Sequence, residues 1–226
     1  MTRSLSSNKC FRNINALGCG LTIEMLSAGI QYVYDTLDAI DAKLLERGSP
    51  RLTALVELAN LSTIIGNLFN LGVIKASNGF FERAGPHKYQ DLRATKLNQK
   101  GCHVETKVAL ETNTPKGHLP KVGHYLTCRY VLGNEDGKYI VGTANRGDVV
   151  WIWELRFGDL ALSHFNVSNT EGDSGKTAVV NKEGMKRLAV IYFDQTYTPY
   201  SSRSSYIREL NQPYLLPTTD LEWPEQ

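Results

Sequence analysis

The sequence predicts an α/β (α+β) fold in which N-terminal helices precede a mixed central β-sheet. Apolar residues recur at spacings of three and four in the first third of the chain, as in amphipathic helices. From residue 79 onward, short apolar or alternating segments are separated by turn residues, as in β-strands. With 226 residues, of which 42% are hydrophobic, the chain can build one sizeable core. We therefore expect a single domain over 1–226, helical over about 1–75, with the sheet and its loops over about 79–226.

The first helix is predicted over 21–47, because its apolar positions repeat with helical spacing and Gly48 follows its end. Ser49 and Pro50 then provide a favourable helix start, with serine at the N-cap and proline at the first helical position. A second helix should run from there to about Leu71.

Strand-like patterning dominates the rest of the chain. The segment 187–193 is apolar apart from one arginine, which indicates a strand covered on both faces. GNEDGK at 133–138 is a hairpin signal, and one short helix is expected near 203–211. The expected strands are 88–95, 103–111, 124–132, 138–144, 149–157, 160–167 and 187–194.

Charge is unevenly distributed. The formal net charge is only +2, but the segment from Lys75 to Arg129 contains ten Lys or Arg against four Asp or Glu. Four of the five histidines also lie in this segment. A basic stretch of this kind suits a polyanionic partner. A solvated face with excess lysine is the alternative.

The cysteines and the N-terminus bear on the cellular compartment. Cys10, Cys19, Cys102 and Cys128 form no CxxC pair, so we expect reduced thiols of a cytoplasmic protein, with a zinc site as the alternative. The N-terminal residues lack the apolar core of a secretory signal. No run of about 18 apolar residues follows, so no membrane partner is expected.

The segment HVETKVALE, 103–111, carries the strongest functional signal. On a strand, Glu105 and Lys107 would share one face while the intervening residues form an apolar face. A hairpin would bring Asp91, from the preceding strand, beside Glu105. Two converging carboxylates suit Mg²⁺, and a nearby lysine can hold or activate a water. This pattern predicts a metal-dependent phosphodiesterase, and the alternative is an amphipathic edge strand facing water.

The order of a helix, Asp91, and then Glu105 and Lys107 on an adjoining strand resembles the PD-(D/E)XK nuclease superfamily, which includes most type II restriction endonucleases. The resemblance rests on PHKYQDLRAT and HVETKVALE. It implies a sheet of restriction-endonuclease-like type, with Asp91 and Glu105 as Mg²⁺ ligands and Lys107 positioning the attacking water. Gln90 stands where the family name has proline. Family members often carry a further carboxylate on an earlier helix, and Glu57 is the candidate for it.

Two polar loops are candidates for DNA contact. Basic side chains after the Glu105 strand could contact phosphates near the scissile bond; they are Lys116, His118, Lys121 and His124. A polar segment further on could read base edges or phosphates; its candidates are Asn166, Ser168, Asn169, Thr170, Asp173, Ser174 and Lys176. An ordinary solvated loop is the alternative in both cases.

Two other motif matches in this polar segment fail on context. GDSG at 172–175 resembles the nucleophile motif of serine proteases, but no histidine stands in the upstream context that these enzymes require. GKT at 175–177 resembles the end of a P-loop, but Thr170 occupies the position of the first P-loop glycine.

The sequence therefore predicts a Mg²⁺-dependent, site-specific endonuclease of type II restriction class that hydrolyses phosphodiesters in double-stranded DNA. A palindromic site would imply a homodimer with one active site per strand. Two alternatives stay open. One is a repair or structure-specific nuclease of the same fold, and the other is a non-catalytic DNA-binding protein that uses the basic stretch.

Overall fold

Helices cover one face of a six-stranded sheet, and a small three-stranded sheet lies against the other face. A computed structural model describes residues 3–5, 10–85, 90–98, 102–117, 120–140, 142, 146–168, 177–210 and 212. This arrangement of helices followed by a mixed sheet is an α+β fold, as the sequence predicts.

The first helix matches its prediction closely, and the second differs. Helix α1 spans Ile23–Glu46, with the Thr22 hydroxyl accepting a hydrogen bond from the Met25 N–H. The predicted second helix is divided into α2, Leu52–Leu55, and α3, Leu58–Ala76. The backbone is extended at Val56 and Glu57 between them. Tertiary packing therefore overrides helix propensity at this point, because extended Val56 packs against the core.

Close packing of α1 on α3 depends on two glycines. A Cβ atom at Gly72 would lie 2.6 Å from the Cβ of Tyr32 and 2.8 Å from the carbonyl oxygen of Ala28. A Cβ atom at Gly29 would lie 2.9 Å from the ring of Phe69. The two helices consequently approach each other more closely than larger residues would permit.

The main sheet has six strands: β1 Phe81–Arg83, β2 Leu92–Ala94, β3 Val104–Leu110, β5 Gly123–Gly133, β6 Val149–Leu160 and β9 Ala189–Phe193. Their order across the sheet is β1-β2-β3-β5-β6-β9. Strands β3 and β5 are parallel, and every other neighbouring pair is antiparallel.

The small sheet has the order β4-β8-β7, with β4 Lys116–Gly117, β7 Phe165–Ser168 and β8 Thr177–Val180. It packs on the main sheet through a separate apolar cluster that includes Tyr125, Leu160 and Val180. Short helices α4, Lys182–Arg187, and α5, Ser205–Leu210, complete the described elements.

Several predicted strand and helix boundaries need correction. The segments 149–157 and 160–167 are not two equivalent strands, because β6 continues to Leu160 and β7 starts at Phe165 after a 3₁₀ turn. Within the predicted strand 138–144, the described residues 138–140 and 142 form no strand. Helix α4 was not predicted, although Asn181 caps it by accepting a hydrogen bond from the Gly184 N–H at 2.9 Å. The short helix expected near 203–211 is present as α5.

The expectation of four reduced thiols is also wrong. Cys19 and Cys102 form a disulfide across 83 residues, with their Cα atoms 5.0 Å apart, whereas Cys10 and Cys128 are free thiols. The error arose because 83 residues separate the two cysteines in sequence, which conceals their proximity in the folded chain. Among the described residues, no helix combines the length and apolar character needed to cross a membrane.

Candidate active site

Asp91 lies just before β2, the strand between β1 and β3 in the main sheet. Strand β2 pairs antiparallel with β3, with Leu92 opposite Val104. This pairing brings the Asp91 carboxylate to the backbone of β3, where Oδ2 accepts a hydrogen bond from the Thr106 N–H at 2.9 Å. The predicted approach of Asp91 to the Glu105 strand is therefore present.

Glu105 lies on β3 between two donors. Its Oε2 accepts a hydrogen bond from the backbone N–H of Gln90 at 3.0 Å, and its Oε1 accepts one from the Lys107 ammonium group. The Glu105 side chain is only 9% exposed, whereas the Lys107 side chain is 24% exposed. The carboxylate is thus largely withdrawn from water, and the lysine remains accessible at the surface.

Burial raises the pKa of the Glu105 carboxyl above its ordinary value. The nearby ammonium group of Lys107 opposes this shift, and the negative charge of Asp91 adds to it. The groups around Glu105 therefore offset only part of the free-energy cost of burying its ionised carboxylate. A further positive charge placed between the carboxylates of Asp91 and Glu105 would stabilise it.

Lys107 is confined by the small sheet. A Cβ atom at Gly117 on β4 would lie 2.9 Å from the Lys107 Cε and 3.1 Å from its Nζ. The absence of a side chain at Gly117 therefore leaves the space in which the lysine extends toward Glu105. The segment that follows β3 therefore contributes to the surroundings of Lys107 through this glycine.

The opposite face of β3 anchors the strand to the helices. The Thr106 hydroxyl donates a hydrogen bond to Asn70 Oδ1 on α3 at 2.8 Å, and Val104 is fully buried. Val108 faces Gly66 of α3, where a Cβ atom would lie 3.1 Å from Val108 Cγ2. These contacts hold β3 rigidly while Glu105 and Lys107 point to the other side, as period-two alternation requires.

The face of the sheet that carries Lys107 continues into a group of buried charges. Lys107 pairs with Thr127 on β5, which pairs with Arg156 on β6. Directly opposed residues lie on one face. Two strand spacings separate the Cα atoms of Lys107 and Arg156, which is about 10 Å.

Glu154 forms the centre of this charged group. Its fully buried carboxylate accepts hydrogen bonds from Arg129 Nε and Arg156 Nε, both at 2.8 Å, and from the Tyr206 hydroxyl. Burial alone would raise its pKa, but Arg129 and Arg156 outweigh burial and lower the pKa of Glu154 to about 2. Two guanidinium charges against one carboxylate leave a net positive charge at this position.

A cavity of about 600 Å³ opens beside this group. Arg129 and Arg156 line it, together with Lys182 and Lys186 of the α4 region. The lining therefore contains four cationic side chains and one carboxylate, that of Glu209, and the cavity lies on the same face of the sheet as Lys107. Such a surface favours an anionic ligand.

The other predicted site residues are not all brought to this face. Glu57 is exposed and precedes α3, whereas Asn70 of the same helix contacts Thr106. Thirteen helical positions separate Glu57 from Asn70, or about 20 Å along the helix axis. The structure therefore does not place Glu57 with Asp91 and Glu105.

His124 also lies apart from Lys107. It pairs with Val104 and so shares the helix-covered face, where its ring stacks on Phe157 and its Nδ1 contacts the Asp159 carboxylate. The alternation of side chains on β5 therefore separates His124 from the face on which a phosphate near Lys107 would bind.

The predicted DNA-contact loops are described in part. Lys116 is exposed on β4, next to the glycine that faces Lys107. Lys121 is exposed just before β5, and Asn166 is exposed on β7. Ser168 is the last residue of β7. The remaining candidates lie outside the described residues; they are His118, Asn169, Thr170, Asp173, Ser174 and Lys176.

Sequence reasoning missed Gln90 and Gly117 because both act without a chemically distinctive side chain. It also missed the paired charges of Glu154 and Arg156. A usable signal was present there, because an acid and an arginine two positions apart within the apolar run VVWIWELRF must share one strand face.

Comparison with known proteins found no matching family model and no matching curated protein.

Proposed function

We propose that this protein is a Mg²⁺-dependent endonuclease that cleaves double-stranded DNA, with a restriction-endonuclease-like sheet and the site specificity of a type II restriction enzyme. The observation that carries the proposal is the convergence of Asp91, Glu105 and Lys107. The Asp91 carboxylate accepts a hydrogen bond from the N–H of Thr106, next to Glu105, and the Glu105 carboxylate accepts one from the N–H of Gln90, next to Asp91. The ammonium group of Lys107 donates a hydrogen bond to Glu105.

The residues present fit a Mg²⁺ ion. Both carboxylates offer hard oxygen donors, and the raised pKa of Glu105 reflects a buried carboxylate that a cation would stabilise. Asp91 and Glu105 are the residues that would hold the ion. When bound, Mg²⁺ supplies charge stabilisation to the phosphodiester and lowers the pKa of a water molecule.

Lys107 has a separate role in this proposal. Its ammonium group is held by Glu105 on one side and by the space above Gly117 on the other. From that position it donates a hydrogen bond to the attacking water and orients it toward the phosphorus atom. Positioning of this kind lowers the barrier by restricting the reacting groups before the chemical step.

The cationic cavity supports a nucleic-acid substrate. Arg129 lies one strand and Arg156 two strands from β3, on the face that Lys107 occupies, and Lys182 and Lys186 of α4 line the same cavity. A DNA backbone that placed one phosphate at Lys107 could place another phosphate of the same strand at this cavity. Contacts to phosphates fix the register of a duplex on a protein.

Two copies of the chain would be needed to cut both strands of a palindromic site symmetrically. A homodimer is accordingly part of the proposal, with one set of Asp91, Glu105 and Lys107 for each strand. Sedimentation of the protein with a cleavable duplex measures this stoichiometry.

The direct test incubates purified protein with a long DNA of known sequence, with Mg²⁺ and separately with EDTA. Discrete fragments that form only with Mg²⁺ are the expected result. A smear of fragments that forms only with Mg²⁺ would contradict site specificity and would indicate a repair-type or structure-specific nuclease. Intact DNA on several long templates, together with salt-dependent binding, would contradict the nuclease assignment and favour a DNA-binding protein.

A further inference from the structure

A second cluster of ligand-type side chains lies on the helix-covered face of the sheet, away from Glu105 and Lys107. It combines Cys19, from the segment before α1, Cys102, from the segment before β3, and His124, from β5. One ligand atom from each of the three residues lies within 4.8 Å of the other two. The two cysteines are joined as a disulfide in this structure.

His124 is oriented as a metal-binding imidazole is. Its Nδ1 contacts the Asp159 carboxylate, and its ring is stacked on Phe157 with the two planes 12° apart. A carboxylate on one ring nitrogen fixes the tautomer and increases the basicity of the other nitrogen, an arrangement that accompanies most histidine ligands of zinc. The Asp159 carboxylate therefore holds the ring of His124 beside the two cysteines.

The backbones that carry the two cysteines are held in place by contacts other than the disulfide. The Asn98 side chain donates a hydrogen bond to the carbonyl oxygen of Cys19 at 2.8 Å, and Cys19 has a left-handed backbone with φ 57°. Cys102 is two residues from Val104, which is fixed within β3. Reduction of the disulfide would consequently leave the two thiols close together and close to His124.

We propose that the reduced protein binds one Zn²⁺ ion through Cys19, Cys102 and His124, with water as the fourth ligand. Zinc bonds of about 2.3 Å to sulfur and about 2.0 Å to nitrogen place tetrahedral ligand atoms about 3.3–3.8 Å apart, within reach of the present cluster. Thiolate and imidazole ligands favour zinc, whereas the hard oxygens of Asp91 and Glu105 favour magnesium.

Conversion of the disulfide form into the reduced, zinc-binding form requires a dithiol reductant. The dithiol transfers two electrons and two protons to the Cys19–Cys102 bond, which breaks to give two thiols, while the reductant closes into its own disulfide. Binding of Zn²⁺ then displaces one proton from each thiol. The disulfide connects the segment before α1 with the segment before β3. The zinc ion would connect the same two segments and would also bind β5 through His124.

The test uses Co²⁺ as a spectroscopic probe of the site in the full-length protein, after reduction and removal of the reductant without oxygen. The expected result is one equivalent of Co²⁺ with a thiolate charge-transfer band, which Zn²⁺ abolishes by displacement. His124→Gln should weaken binding at least tenfold, and Asp159→Asn should weaken it about 10–100-fold. Both variants retain the disulfide and can be purified in the oxidised form.

Cys10→Ala is the matched control, because Cys10 is a partly buried thiol outside the cluster. Its Co²⁺ affinity and spectrum should equal those of the parent protein. Absence of the thiolate band from the reduced parent protein would overturn the proposal, as would unchanged affinity in His124→Gln. The readout requires no DNA and no Mg²⁺, so it is independent of the proposed nuclease activity.

Discussion

The backbone N–H of Gln90 donates a hydrogen bond to Glu105 Oε2 at 3.0 Å, and the left-handed conformation of Gln90, with φ 75°, accompanies this contact. The next residue, Asp91, bonds in turn to the Thr106 N–H. Two consecutive residues thus connect to two consecutive residues of β3. A proline at position 90, as in the family motif, could provide neither the N–H donor nor the positive φ.

Substitutions at Gln90 test this connection. Gln90→Gly preserves the N–H and suits the left-handed conformation, so the free energy of unfolding should stay the same or rise by up to about 1 kcal/mol. Gln90→Pro should lower it by about 1–3 kcal/mol and reduce DNA cleavage, because it removes the donor and forces a different φ. Urea unfolding and a cleavage assay measure both effects. Equal stability of the two variants would contradict the assigned role of the Gln90 amide.

Glu105→Gln tests the burial of the carboxyl group. Because the folded-state pKa is raised, the folded protein favours the protonated form, so this contribution to stability is present at low pH and declines as pH rises through the folded pKa. Glutamine mimics the protonated form at every pH. Without Mg²⁺, Glu105→Gln should therefore be more stable than the parent protein at pH 8, and the difference should shrink below the ordinary pKa of 4.5.

The same pair of proteins tests metal binding. Mg²⁺ should raise the unfolding temperature of the parent protein at pH 8 and should have little effect on Glu105→Gln, since a ligand stabilises only a protein that binds it. Thermal unfolding with and without Mg²⁺ provides this comparison. Without Mg²⁺, the stability of the parent protein relative to Glu105→Gln should be lower at pH 8 than at pH 5. The opposite result would contradict the prediction that burial disfavours the ionised form of Glu105.

Gly117→Ala tests the position of Lys107. The new methyl group would collide with the end of the lysine side chain, at 2.9 Å from Cε, and displace Nζ from Glu105. The cleavage rate should fall about 10–100-fold with little change in stability. Gly66→Ala is the control, because its methyl group would meet Val108 on the opposite face of β3. Similar rate losses in the two variants would indicate general distortion of the strand and would contradict the specific effect on Lys107.

The cationic cavity can be tested through the salt dependence of DNA binding. Replacing both Lys182 and Lys186 by alanine should weaken binding and reduce the slope of log K against log salt by about 2, one unit for each lost phosphate contact. The control replaces Lys43 and Lys75, which lie on α1 and α3 on the other side of the sheet, and changes the net charge equally. Equal effects in the two double variants would contradict DNA binding at the cavity.

The sequence predicted the local elements of the fold better than their connections. Alternation in HVETKVALE was sufficient to place Glu105 and Lys107 on one face, because strand periodicity is a local property. The proximity of Asp91 could be predicted from the expected hairpin. The disulfide between Cys19 and Cys102 could not, because 83 residues separate the two cysteines and their approach depends on how α1 packs on the sheet.

His124 and Glu57 show a further limit of sequence reasoning. His124 was selected because it follows the Glu105 strand closely in sequence, yet it lies on the opposite face of β5. Glu57 was selected because the resembled family often has a carboxylate on an earlier helix, yet it lies about 20 Å along the helix axis from Asn70, the α3 residue that contacts Thr106. Strand register and helix direction decide both placements, and both depend on tertiary packing. The role of Gln90 was similarly hidden, because it acts through its backbone N–H.

Lys107→Ala provides the most direct test of the proposed nuclease site. DNA cleavage with Mg²⁺ should fall at least about 100-fold, the range expected for loss of a group that positions or activates the nucleophile. DNA affinity in EDTA and the urea unfolding midpoint should remain close to those of Lys96→Ala, an exposed lysine from the same basic segment. Cleavage by Lys107→Ala at the rate of the parent protein would contradict the assignment of the site.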